Sequence, residues 1–240
     1  VWLVYAIGEQ LFRKGTGLIA GWMLATTFYF VFWARVATAD ILTVFGLLAA
    51  VWWYWRGPED TRLSRYCVFF LLLAVTSLLK GLIGFILPGL VLLPHLLSEQ
   101  RWKRHLNLRL VVALFIAGAV YMLPFVLSHL YGAIDYGESG LGLVLRENVV
   151  RFFNPFDHMG PIYTYLIYLP AYTLPWAPFW MIGLWVAVRQ WRHIEPNTRW
   201  LVWGLGLLFV FFTASGSRRS YYVLPLVPFA QLLAAWWVTR

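Results

Sequence analysis

The sequence predicts an all-α, polytopic integral membrane protein, a helical bundle of about eight complete transmembrane helices and part of a ninth. Three observations predict it. Hydrophobic residues make up 61% of the chain and charged residues only 12%, where a soluble domain carries close to a quarter of its residues charged. Apolar runs of spanning length alternate with short basic clusters. The 15 Trp and 13 Tyr suit helix ends anchored at the headgroup level by amphipathic rings.

Taken in order, residues 1–7 read as the tail of one span, and GEQLFRKGTG then supplies Arg13 and Lys14. Residues 18–33 form the first complete span, and the polar break ARVATAD separates it from 41–55. After the basic RGPEDTRLSRY, residues 68–79 are short for the roughly 20 a span needs. They meet Lys80 at a tight polar turn, and 83–97 carries the chain back. SEQRWKRHLNLR precedes the span 110–127. The aromatic span 162–188 contains Pro170, Pro175 and Pro178, which predict a kink or a break into two segments. RQWRHIEPNTR, the span 200–213, the turn ASGSRRS and the span 221–238 complete the order.

Residues 128–161 are the one long polar interruption, read as an external loop. Within it Leu141, Val144, Leu145, Val149 and Phe152 share one helical side while Glu147 and Arg151 project elsewhere, the pattern of a short juxtamembrane helix lying on the membrane surface. The whole of 1–240 reads as one transmembrane domain. Its start in an apolar run, without Met or a charged leader, reads as a fragment with helices missing at one or both ends.

Charges sort by side. Arg13, Lys14, Arg56, Arg62, Arg65, Arg101, Lys103, Arg104, Arg109, Arg189, Arg192, Arg199 and Arg240 fall on one side of the predicted spans, with half of the 10 acidic residues. That side is the cytoplasmic one, because Lys and Arg accumulate there. The net charge of +9 is therefore a topology signal and not a nucleic-acid surface. A single cysteine, Cys67, excludes an internal disulfide and a thiolate metal cluster. A phosphate-cradling Gly-rich loop, a GxSxG elbow and an HExxH helix are missing from the sequence, which removes support for ATP-driven, esterase and zincin chemistry.

The topology rule leaves Arg35, Lys80, Arg146, Arg151, Arg218 and Arg219 on the external side needing another reason. Cations gathered from several turns against the membrane surface point to an anionic ligand at the lipid boundary, a lipid phosphate. Local uses stand beside that reading. Lys80 can snorkel to headgroups, Arg151 can pair with Glu147 at i, i+4, and Asp40 can pair with Arg35 or cap a helix. Arg218 and Arg219 beside Tyr221 can anchor to headgroups, and His158 beside Asp157 can be a solvated histidine or a proton carrier.

Five stretches, ARVATAD, SLLKGLIGFILPGL, RENVVRFF, YLPAYTLPW and SRRSYYVLPLVP, occur in an order and spacing that resembles one group of GT-C-fold glycosyltransferases. These use polyprenyl-phosphate sugars and comprise the aminoarabinose transferases and protein O-mannosyltransferases, a glycosyltransferase family 39-like group. The resemblance covers nearly the whole chain. It implies a GT-C-like bundle in a bacterial inner membrane, with an active site facing the periplasm that passes a sugar from a polyprenyl-phosphate donor to a lipid or protein acceptor. It implies donor-phosphate binding by Lys80, Arg151 and Arg219, with Arg218 and Tyr221 beside them. Asp40 matches an auxiliary acidic position that orients the acceptor or binds a divalent metal ion, with Arg35, Glu147 and His158 as secondary residues. The family's main acidic motif, Asp followed by Glu in the first external loop, falls before this sequence starts, so the catalytic base is expected upstream. Two rival readings are a transporter or flippase of an anionic lipid-linked substrate and an inactive remnant of the fold.

Overall fold

The computed structural model describes residues 1–36, 38–131, 142 and 160–240, and all regular structure among them is helical. In order these are α1 (Trp2–Leu11), α2 (Thr16–Ala25), α3 (Phe28–Arg35), α4 (Ala39–Trp55), α5 (Leu63–Lys80), α6 (Ile83–Leu97), a 3-10 turn (Ser98–Gln100), α7 (Trp102–His105) and α8 (Leu108–Tyr131). After residue 160 come α9 (Thr164–Tyr172), α10 (Ala177–Arg189), α11 (Pro196–Ala214), a 3-10 segment (Ser220–Leu226) and α12 (Val227–Thr239).

Among the described residues, four helical stretches are long and apolar enough to cross a membrane: α5, α8, α11 and the continuous Ser220–Thr239. Counting each bent pair as one span raises this to six. The remaining two expected spans are α4 and α6, apolar but shorter than 18 residues. The pair α2 and α3 is bent by 66°, and α9 and α10 by 118°. The second bend lies among the prolines that predicted it, with Pro178 near the start of α10. The first has no proline. Between α2 and α3 the Thr26 hydroxyl donates to the Trp22 carbonyl at 2.8 Å and the Thr27 hydroxyl to Met23 at 2.7 Å, while Gln231 of α12 donates to Thr27 Oγ1 at 3.0 Å. Side-chain bonds of this kind compete with the backbone ladder and bend helices.

Among the boundaries that differ from expectation are those of α5 and α8. α5 reaches back to Leu63 through Arg65 and Tyr66 instead of starting at 68, because the Arg65 guanidinium stacks 4.3 Å over Trp53 and donates to its carbonyl at 2.6 Å. The cation is thereby accommodated on the helix wall. α8 continues to Tyr131, so residues 128–131 of the expected loop are its last turn. The expected juxtamembrane helix at 141–153 lies outside the described residues, Gly142 apart.

α12 is the centre of the bundle. Phe229, Leu232 and Leu233 are fully buried, and α1, α2, α10 and α11 pack around them. α1 and α2 cross at Gly8 and Gly17, where a Cβ on Gly17 would stand 2.1 Å from the Tyr5 carbonyl oxygen. α8 packs mainly on α5 through Ala117 and Tyr121. Its remaining face presents residues such as Phe115, 78% exposed, which suits hydrocarbon and not water. The antiparallel run of α4, α5 and α6 brings Asp40, Lys80 and the 3-10 segment to one end of the bundle. At the opposite end Trp53 meets Arg65, Glu59 meets Arg104, and Trp55 meets Trp200.

Candidate functional site

Lys80 is the last residue of α5, and the helix stops there because Gly81 takes φ +81°, open to glycine at no steric cost. Gly84 lets α6 fold straight back, since a Cβ there would come within 2.5 Å of the Ser77 backbone nitrogen. The tight polar turn read from the sequence is thus built by two glycines. Asp40 occupies the first turn of α4, where the positive end of the helix dipole favours a carboxylate.

Asp40 and Lys80 form an ion pair with side chains only 12% and 25% exposed. The pairing with Arg35 weighed from the sequence is replaced by this one, while Arg35 lies exposed at the end of α3. The Lys80 ammonium also lies 4.8 Å from the ring centroid of Tyr222 and 6.0 Å from that of Tyr221. Arg219 donates to the Tyr221 hydroxyl at 2.6 Å, with its guanidinium 5.8 Å from the same ring. Tyr221 therefore stands between the two cations. The sequence places Tyr221 and Tyr222 in the same turn but singles out only Tyr221 as a site residue, and the adjacency in the YY pair is the signal for Tyr222.

Arg218 is differently engaged. Its Nε and Nη2 donate to the Thr213 carbonyl at 3.1 and 3.0 Å, and its Nη1 donates to Gly160 at 2.6 Å. This fork clasps the end of α11 to the start of the segment leading into α9. An aromatic chain extends from the site: Tyr221 contacts Trp33 at 4.7 Å, Trp33 contacts Tyr29 at 6.0 Å, and Tyr29 stacks on Tyr172 at 3.4 Å between centroids. A cavity of about 590 Å³ opens beside it, lined by Tyr163, Thr164, Tyr168, Arg219, Ser220 and Tyr221. Arg151, Glu147 and His158 lie outside the described residues.

Chemically, this end holds two fixed cations around a tyrosine platform, with one carboxylate already matched to Lys80. An anion entering there meets donors that need little reorganisation. A divalent metal ion fits the described residues poorly: Asp40 faces an ammonium, and no three of His, Cys, Asp and Glu come together among them.

Comparison with known proteins agrees with this architecture. A family model described as dolichyl-phosphate-mannose-protein mannosyltransferase matches residues 1–131. An undecaprenyl phosphate-alpha-4-amino-4-deoxy-L-arabinose arabinosyl transferase of Enterobacter sp. (strain 638) is 25% identical over 241 residues, covering 97% of this chain and 42% of that protein. A transferase of the same description, numbered 2, from Pseudomonas fluorescens (strain Pf0-1) is 30% identical over 85% of this chain and 35% of that protein. The crystal structure of ArnT from Cupriavidus metallidurans bound to undecaprenyl phosphate superposes with a TM-score of 0.77 at 20% identity, covering 99% of this chain and 43% of that one. The apo form gives 0.72 at 22% identity. The chain spans less than half the length of these relatives.

Proposed function

The chain belongs to the dolichyl-phosphate-mannose-protein mannosyltransferase family, and on that premise we propose that it carries the donor-phosphate side of a membrane glycosyltransferase. The enzyme moves a sugar from a polyprenyl-phosphate donor to a lipid or protein acceptor on the periplasmic face of the bacterial inner membrane. Eight crossings, with α4, α6 and the two bent pairs counted as spans, accompany this reading.

The observation that carries it is the meeting of Lys80 with Asp40 and the Arg219–Tyr221 pair at one end of the bundle. In the reaction, the bond from the sugar's anomeric carbon to the phosphate oxygen breaks as the acceptor hydroxyl attacks. The hydroxyl proton passes to an acidic residue of the enzyme, and the polyprenyl phosphate departs with its growing negative charge. Lys80, Arg151 and Arg219 hold that phosphate, stabilising it more as charge develops than in the bound donor. Asp40 is a positioning residue that fixes the Lys80 ammonium.

The test is sugar transfer by the purified full-length protein from a polyprenyl-phosphate donor. Lys80→Ala and Arg151→Ala are each expected to lower turnover on the order of 10²-fold, and unchanged turnover in both variants would overturn the phosphate assignment. The two broken helix pairs are a feature shared with transporters. Movement of the lipid-linked substrate across vesicles without sugar transfer would favour that second reading.

A further inference from the structure

At the end of the bundle opposite the Asp40–Lys80 pair, α4, α5, α6, α7 and the start of α8 line a second, partly open cavity of about 230 Å³. Its walls are apolar and aromatic, formed chiefly by Trp53, Tyr54, Phe69, Phe70, Leu92 and Leu96. The Tyr54 hydroxyl has no hydrogen-bond partner among the described residues, and other polar groups that reach the cavity are already engaged. Arg65 is spent on the Trp53 carbonyl and ring, and the His105 Nδ1 meets the Tyr66 hydroxyl at 2.8 Å. Water needs two to four polar partners to occupy a cavity, and these walls present few. Left empty, such a space forfeits the dispersion contacts of its whole lining.

The rim has the opposite character. Residues 56–65 and 101–109, which border the cavity, hold seven Lys and Arg against two acidic residues. Asp60 and Glu59 pair with Arg62 and Arg104, yet those arginine side chains remain 74% and 54% exposed. Lys103 lies 5.8 Å from the ring of Trp102, itself a wall residue. Trp and Tyr rings beside basic side chains mark headgroup depth, and a basic rim there attracts anionic lipid.

We propose that this cavity takes part of one acyl chain of an anionic phospholipid whose phosphate rests on the Arg62, Lys103 and Arg104 rim. Neither half of the site selects such a lipid alone. A zwitterionic phospholipid fills the apolar cavity but gains little from the rim, and a soluble phosphate gains the rim while leaving the cavity empty. The site is separate from the chemistry at the other end and does not depend on it.

The experiment measures the thermal unfolding midpoint of the full-length protein in detergent with added dioleoyl phosphatidylglycerol, dioleoyl phosphatidylcholine or glycerol phosphate. Native mass spectrometry counts the lipids retained. Phosphatidylglycerol is expected to raise the midpoint by about 3 °C or more beyond phosphatidylcholine and to remain bound at one copy, with glycerol phosphate inert. Leu96→Trp, which fills the cavity, is expected to remove the difference. The exposed double variant Lys103→Glu/Arg104→Glu, which leaves the walls intact, is expected to reduce it to the phosphatidylcholine level. Equal shifts by the two phospholipids, an equal shift by glycerol phosphate, or an undiminished phosphatidylglycerol effect in the double variant would each overturn the proposal.

Discussion

Asp40 and Lys80, the second residue of α4 and the last of α5, face each other as an ion pair across two antiparallel helices. Neither side chain is free in solvent, so the pair lies between the exposed case, where an ion pair contributes about 0–1 kcal/mol, and the buried case, where breaking it costs about 3–5 kcal/mol. Asp40→Asn and Lys80→Met are each expected to cost about 1–3 kcal/mol. The double variant should cost less than the sum by about 1 kcal/mol or more. Thermal unfolding in detergent reads the cycle, and strict additivity would mean that the contact does not couple the two helices.

Arg218 satisfies two backbone carbonyls on two segments with one planar fork. Lys keeps the charge but not the fork. Arg218→Lys is therefore expected to destabilise by about 2 kcal/mol and to raise hydrogen exchange at residues 213–220. A protection pattern identical to wild type would show that the clasp holds nothing in place.

The glycine contact between α1 and α2 gives a contrast within one protein. Gly17→Ala drives a methyl into the Tyr5 carbonyl and the Glu9 backbone nitrogen and is expected to cost about 1–3 kcal/mol as overpacking. Gly118→Ala in α8, where a Cβ meets nothing within 4 Å, should be neutral or stabilise by up to about 1 kcal/mol through helix propensity. Comparable losses from both would contradict the close approach at Gly17.

Burial holds the His105 imidazole below its ordinary value of 6.5, aided by nearby Arg104 and opposed by its bond to the Pro58 carbonyl. The unfolded chain thus binds this proton more readily than the folded one. Stability from the neutral ring is fully present above 6.5 and drains away as pH falls from there through the lowered folded value. The unfolding midpoint should drop from about pH 7.5 to about pH 5, with a shallower drop for His105→Gln. Parallel profiles for the two proteins would refute the assignment.

What could be read from the sequence was what is local. The span 83–97 coincides with α6, because an uninterrupted apolar run between charged segments leaves no other solution. The break within 162–188 follows from its prolines. Features that depend on distant partners were not readable. The bend between α2 and α3 is set by Thr27 together with Gln231, 204 residues away. The charges of RLSRY look like loop residues until Trp53 is seen to cover Arg65. Asp40 has a cation five positions before it in Arg35, and only the antiparallel packing of α4 on α5 shows that its partner is Lys80. Tyr222 is one of 13 tyrosines, and its place above the ammonium is a tertiary fact.

The central position of α12 has a consequence for biogenesis. Most residues of the stretch containing it are buried, while α1 and α2, which pack against it, leave the ribosome more than two hundred residues earlier. α1 and α2 therefore enter the bilayer before the helix that covers their inner faces has been made. Their final seating waits for α12, made long after them, so a ribosome stalled before residue 227 would leave α1 and α2 without the face they pack against, a substrate for quality-control proteases.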